Sequence, residues 1–88
     1  MINNIQLGIF KKFNGDADAF DRAASADEKM LMGDSWPVIA DLIHDLILIY
    51  KQHAGDDYKS EVERRLERVC ESKAVANGLK ELAVTLSR

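Results

Sequence analysis

Apolar residues recur along this chain at intervals of three and four, and no segment alternates apolar and polar over more than a few positions. That period is helical. The densest run lies between Trp36 and Lys51. At roughly 100° per residue, Val38, Ile49, Leu42, Leu46, Ile39, Tyr50, Ile43, Ile47 and Ala40 sweep an arc of about 200°. A surface helix needs a stripe only about 100° wide. The pattern therefore predicts a central apolar helix over residues 35–54. It is either the hub of a small bundle or a helix with apolar surface left for a partner. Asp34-Ser35 caps its start, and Pro37 falls in the first turn, where an amide has no intrahelical partner to lose. His53 near its end suits the helix dipole, and Gly55 closes it.

The flanking segments supply narrower stripes. Asn3 or Asn4 caps a first helix with an apolar side of Ile5, Ile9, Phe10 and Phe13; Leu7 strays from that side, and Asn14-Gly15 ends the helix. A strand over residues 3–13 is the alternative for this segment. Asp16 caps a short segment containing Ala17, Phe20, Ala23 and Ala24. Ser25 with Glu28 has capping-box spacing, and Gly33 stops the turn that follows. Asp56 and Asp57 open a fourth helix running from Tyr58 to about Ala76, apolar at Tyr58, Val62, Leu66, Val69 and Cys70. Its charges stand at pairing distance: Lys59 with Glu63, Glu61 with Arg65, Arg64 with Glu67, Arg68 with Glu71. Val75 lies opposite its stripe. Asn77-Gly78 ends or bends it, and Leu79, Leu82, Ala83 and Leu86 make a last short helix. The sum is an all-α fold, a compact bundle of four to five helices in one domain over residues 1–88.

Charge and composition narrow the function classes. A net charge of −3 lies away from the basic balance of a nucleic-acid binder. Cys70 is the only cysteine, so no intramolecular disulfide forms and nothing points to an oxidising compartment. The first residues lack the pattern of a signal peptide. Asp41, His44 and Asp45 interrupt the best candidate for a spanning helix. A cytoplasmic location, with no membrane association, follows by default.

Four constellations could carry chemistry. Asp41, His44 and Asp45 are plausible ligand types for zinc or manganese, but the solvent-facing edge of a helix that needs one explains them better, and a metal site would want more ligands from another helix. Asn14, Asp16 and Asp18 have the alternate spacing of a calcium loop, yet Ala19 and Ser25 occupy the positions where such a loop wants glycine and glutamate. Arg64, Arg68 and Lys73 could meet phosphates, although glutamates are interleaved with them. The stretch from Ala74 to Gly78, followed by Val84, looks weakly like the turn of a helix-turn-helix. Cys70 lacks the histidine and electropositive setting of a catalytic thiol. No phosphate-binding loop, Gly-x-Ser-x-Gly or paired Cys-x-x-Cys is present. The residues thus point to no catalytic, cofactor or metal site.

The leading expectation is a non-enzymatic protein-interaction module of the adaptor, inhibitor or immunity type. Its partner is another protein or its own copy, as a homodimer. If the bundle covers the apolar arc, Leu48 stays exposed among Asp41, His44 and Asp45, and these four residues form the candidate interface. The alternative is a nucleic-acid-binding domain using Arg64, Arg68, Lys73 and the C-terminal turn.

Overall fold

The computed structural model describes residues 1–52 and 57–88. Six helices form among them: α1 (Asn4–Lys12), α2 (Ala17–Ala23), α3 (Ala26–Met32), α4 (Ser35–Gln52), α5 (Tyr58–Val69) and α6 (Lys73–Leu86). The fold is all-α, and the first segment is a helix rather than a strand. The expected roles of His53, Gly55 and Asp56, and the last two positions of the central helix, lie outside the described residues.

Local capping chemistry sets most of the boundaries. Asn3 Oδ1 accepts from the Gln6 amide at 2.9 Å, while Gln6 Oε1 accepts from the Asn3 amide at 3.2 Å. Two orphan donors at the start of α1 are thereby satisfied reciprocally. Ser25 and Glu28 form the same box at α3, and Asp16 accepts from the amides of Asp18 and Ala19 at α2. Asp57 stands at the start of α5 without a side-chain cap bond. Asn14 and Gly15 both adopt positive φ after α1, as the asparagine-glycine pair predicts.

The C-terminal third departs from the sequence reading. The expected single helix from Tyr58 to Ala76 is broken at Cys70, which is extended (φ −96°, ψ 135°). The cause is remote in sequence. The Ile2 amide donates to the Val69 carbonyl at 2.6 Å, and the Glu71 amide donates to the Ile2 carbonyl at 2.8 Å. This isolated parallel bridge between Ile2 and Cys70 gives the backbone at the break partners that a helix would otherwise supply. Ser72 then caps α6, its hydroxyl accepting from the Val75 amide. Asn77-Gly78, expected to end or bend a helix, lies inside the continuous α6. Glycine is used there for space: a Cβ at position 78 would lie 2.5 Å from Leu7 Cδ2.

The buried residues form one contiguous core. Helix α4 contributes Trp36, Ile39, Leu42, Ile43 and Leu46, and it packs most extensively on α6, then on α5 and α1. The thinnest dimension of the molecule is 16 Å. Helices pack about 8–10 Å apart, so this thickness holds two layers. Helix α4 is therefore covered on one side and open on the other, not enclosed as a rod. Trp36, not named in the predicted arc although its angle sets it between Ile43 and Ile47, joins three elements: its ring lies 4.9 Å from Phe10 and is stacked on Phe20 at 4.7 Å.

Four apolar expectations are corrected by this packing. Leu7 and Val75, read as stray surface residues, are 4% and 1% exposed. Leu7 fills the space above Gly78, and Val75 belongs to the stripe of the separate helix α6. Ile5 and Val38, read as core-facing, are exposed. Gln6, which no apolar pattern could flag, is buried and bridges α1 to the start of α4. Its Nε2 donates to the Leu31 carbonyl and to Ser35 Oγ, both at 3.1 Å.

Candidate functional site

The outer face of α4 carries the four residues singled out from the sequence, and the structure divides them. Asp41, His44 and Leu48 are exposed. They fall within about 60° of one another around the helix and form a single strip. Leu48 is 39% exposed, as expected if the core covers the apolar arc. Asp45 sits at the edge of this strip and turns towards α5, where its Oδ2 accepts from Arg65 Nη1 at 3.3 Å. Its carboxylate is thus taken up by a bond between helices. No group of three or more histidine, cysteine, aspartate or glutamate residues lies close enough to hold a metal ion among the described residues.

Helix α5 presents a basic cleft on the same side as that ion pair. A cavity of about 180 Å³ is lined by Glu61, Arg64, Arg65 and Arg68. The intrahelical pairs expected for this helix form only in part. Arg65 bonds Glu61 at 3.1 Å, but Glu63 pairs with Lys80 of α6 rather than with Lys59. Neither Arg64 nor Arg68 has a carboxylate partner among the described residues. The sole carboxylate lining the cleft, that of Glu61, is already held by Arg65. Arg64 and Arg68 stand one turn apart with their charges unmatched. Lys73, grouped with them from the sequence, opens α6 and does not line this cleft. The expected turn at Ala74–Gly78 is helical, so the helix-turn-helix element is absent from these residues.

A second cleft adjoins the first through Arg68. It has a volume of about 310 Å³, with Met1, Ile2, Val38 and Val69 on its walls and Asp34, Ser35 and Arg68 at its polar positions. Sequence reasoning missed it because the bridge at Ile2 brings the first residues beside the end of α5. The one legible hint was Val38, at the margin of the apolar arc of α4.

The remaining candidates have structural occupations. Asp16 caps α2. Cys70 is buried, and burial pushes its thiol above the ordinary range, disfavouring the nucleophilic thiolate. Tyr50 is shifted upward by burial as well, and its ring meets Tyr58 edge-on at 5.9 Å. Among the described residues, no helix is long and apolar enough to cross a membrane. Compared with known proteins, the chain matches no family model, no curated protein and no solved structure.

Proposed function

We propose that this chain is a non-enzymatic interaction module that works by occupying the surface of another protein, or of its own copy, through the outer strip of α4. The observation that supports this reading is the exposure of Leu48 between Asp41 and His44, on the outer face of the helix with the widest apolar arc. A large aliphatic side chain rimmed by polar groups is the usual composition of a protein contact. A lone exposed leucine is common on any surface, so the test must address the position itself. The unpaired Cys70 makes the cytoplasm the natural setting for such a module.

The test is a photo-crosslinking residue placed at position 48 and, as a control, at exposed position 27 of α3, in the native host. A discrete protein adduct at 48 and none at 27 supports the reading. Sedimentation equilibrium separates the two kinds of partner: a dimer dissociated by Leu48→Asp identifies a second copy. A monomer with the same adducts at both positions rejects the module.

A second reading, nucleic-acid binding through Arg64, Arg68 and Lys73, draws on one observation, the unmatched charges of Arg64 and Arg68. It predicts salt-sensitive association with a generic duplex. No retardation of labelled DNA at low salt would end it.

A further inference from the structure

The two clefts on either side of Arg68 differ in chemistry and adjoin. One has apolar walls at Met1, Val38 and Val69. The other carries Arg64 and Arg68, with its one carboxylate already committed to Arg65. An occupant that satisfies both needs an apolar side chain next to carboxylates. We infer that this composite cleft binds an acidic peptide segment, its apolar side chain seated between Val38 and Val69 and its carboxylates on Arg64 and Arg68.

Charge complementarity selects this occupant. A guanidinium presents a planar fork that matches a carboxylate with two parallel hydrogen bonds. Two such forks one turn apart suit carboxylates spaced along a short peptide. A duplex fits the same ground poorly. Glu63 and Glu67 of α5 and Glu71 just beyond it are exposed nearby, and the chain as a whole is negative. That setting opposes any anion at long range, but a duplex, which depends on many phosphate contacts, loses more by it than a short peptide that needs only the two arginine contacts. The apolar cleft would also stay empty against a phosphate backbone. Asp34 and Ser35, which also line the apolar cleft, offer acceptors for peptide amides. The inference rests on reading the chain as a protein-binding module, but it uses a surface separate from the Leu48 strip.

The experiment is an amide chemical-shift titration of the labelled protein with the peptide acetyl-Asp-Glu-Leu-Asp-Glu-amide. The expected result is saturable shifts at Val38, Arg64, Arg68 and Val69. Arg68→Ala should weaken binding about tenfold or more, in line with the loss of one charge-assisted bond. Replacing the peptide leucine by glycine should weaken it as well, because the apolar cleft then contributes nothing. Arg68 is exposed, so the variant retains the fold, and its amide spectrum shows this directly. No shifts at millimolar peptide overturn the proposal. So do equal shifts with inorganic phosphate alone, or tighter binding by a duplex oligonucleotide. Crosslinking at position 48 does not depend on this cleft, so failure here leaves the module reading separately testable.

Discussion

Leu7 of α1 occupies the place where a side chain at position 78 of α6 would begin: a Cβ on Gly78 would stand 2.5 Å from Leu7 Cδ2. Both helices are fixed by that approach, since Leu7 is buried and α6 runs unbroken through the glycine. Two opposing effects act at this position. Replacing a mid-helix glycine by alanine favours the helix by about 1 kcal/mol, and overpacking a core costs about 1–3 kcal/mol. Gly78→Ala is therefore expected to destabilise by about 1 kcal/mol. In a Leu7→Ala background the same change should become stabilising. Gly8, which has nothing within 4 Å of a built Cβ, is the control: Gly8→Ala should stabilise by about 0.5–1 kcal/mol. Urea unfolding of the four variants and the parent measures all of these, and a stabilising Gly78→Ala in the parent would disprove the close approach.

Gln6 is the buried polar link between α1 and α4. It donates to the Leu31 carbonyl and to Ser35 Oγ while closing the capping box with Asn3. Gln6→Leu keeps the volume and removes the three side-chain bonds, leaving the backbone amide of residue 6 on Asn3 Oδ1. The expected loss is about 0.5–1.5 kcal/mol, since Asn3, Leu31 and Ser35 are at least partly exposed and can turn to water. Ser35→Ala should cost less, because Gln6 Nε2 keeps the Leu31 carbonyl. Thermal unfolding ranks the two variants; equal losses would show that the hydroxyl is the dominant partner.

The bridge at Ile2 should matter more than its place near the start of the chain suggests. Its side chain is 2% exposed, and its backbone holds both sides of the α5–α6 break. Ile2→Ala is expected to cost about 2–4 kcal/mol through the cavity it leaves. Hydrogen exchange at the Glu71 amide should accelerate in step with global unfolding. Rapid exchange at Glu71 in the parent protein would show that the bridge does not persist.

Acid should weaken the contact between α1 and α3. The Lys12 ammonium, which donates to Glu28 at 2.7 Å, and the Ser25 amide hold the Glu28 carboxyl below its ordinary value of 4.5. A depressed folded-state pKa stabilises the protein above the unfolded value, and that contribution is lost as pH falls through the folded value. Lys12→Met removes the leading cause of the depression. The drop in urea midpoint between neutral pH and about pH 3 should then be smaller than in the parent. A larger drop in the variant would contradict the assignment.

The exposed strip predicts a contrast between neighbours on α4. Asp45 and Arg65 are each nearly half exposed at their side chains, at 48% and 42%. Breaking that pair with Asp45→Asn should cost no more than about 1 kcal/mol. Leu48→Asp should leave monomer stability within about 0.5 kcal/mol, as expected for a surface position. A large loss on Leu48→Asp in a dilute, monomeric sample would show that Leu48 belongs to the core.

What could be read without a structure is what local chemistry decides. The helical period, the caps at Asn3, Asp16 and Ser25, the left-handed stop at Asn14-Gly15 and the apolar run of α4 each depend on residues within one or two turns. Leu48 could be placed outside the core on the same basis, because the angle around a single helix is a local quantity. The tertiary structure alone decided the rest. Cys70 is extended because Ile2, far away in sequence, binds the backbone on either side of it. Asn77-Gly78 lies within a helix instead of ending one because buried Val75, Leu79 and Ala83 hold α6 against the core on both sides of it, and the missing Cβ leaves room for Leu7. Asp45 leaves the strip because Arg65 arrives from another helix. Long-range contacts of this kind override local preference wherever a buried hydrogen bond or a close approach outweighs about 1 kcal/mol of propensity. The cleft at Arg68 is their product: its walls come from the first residues, α4 and α5, which no pattern along the chain joins together.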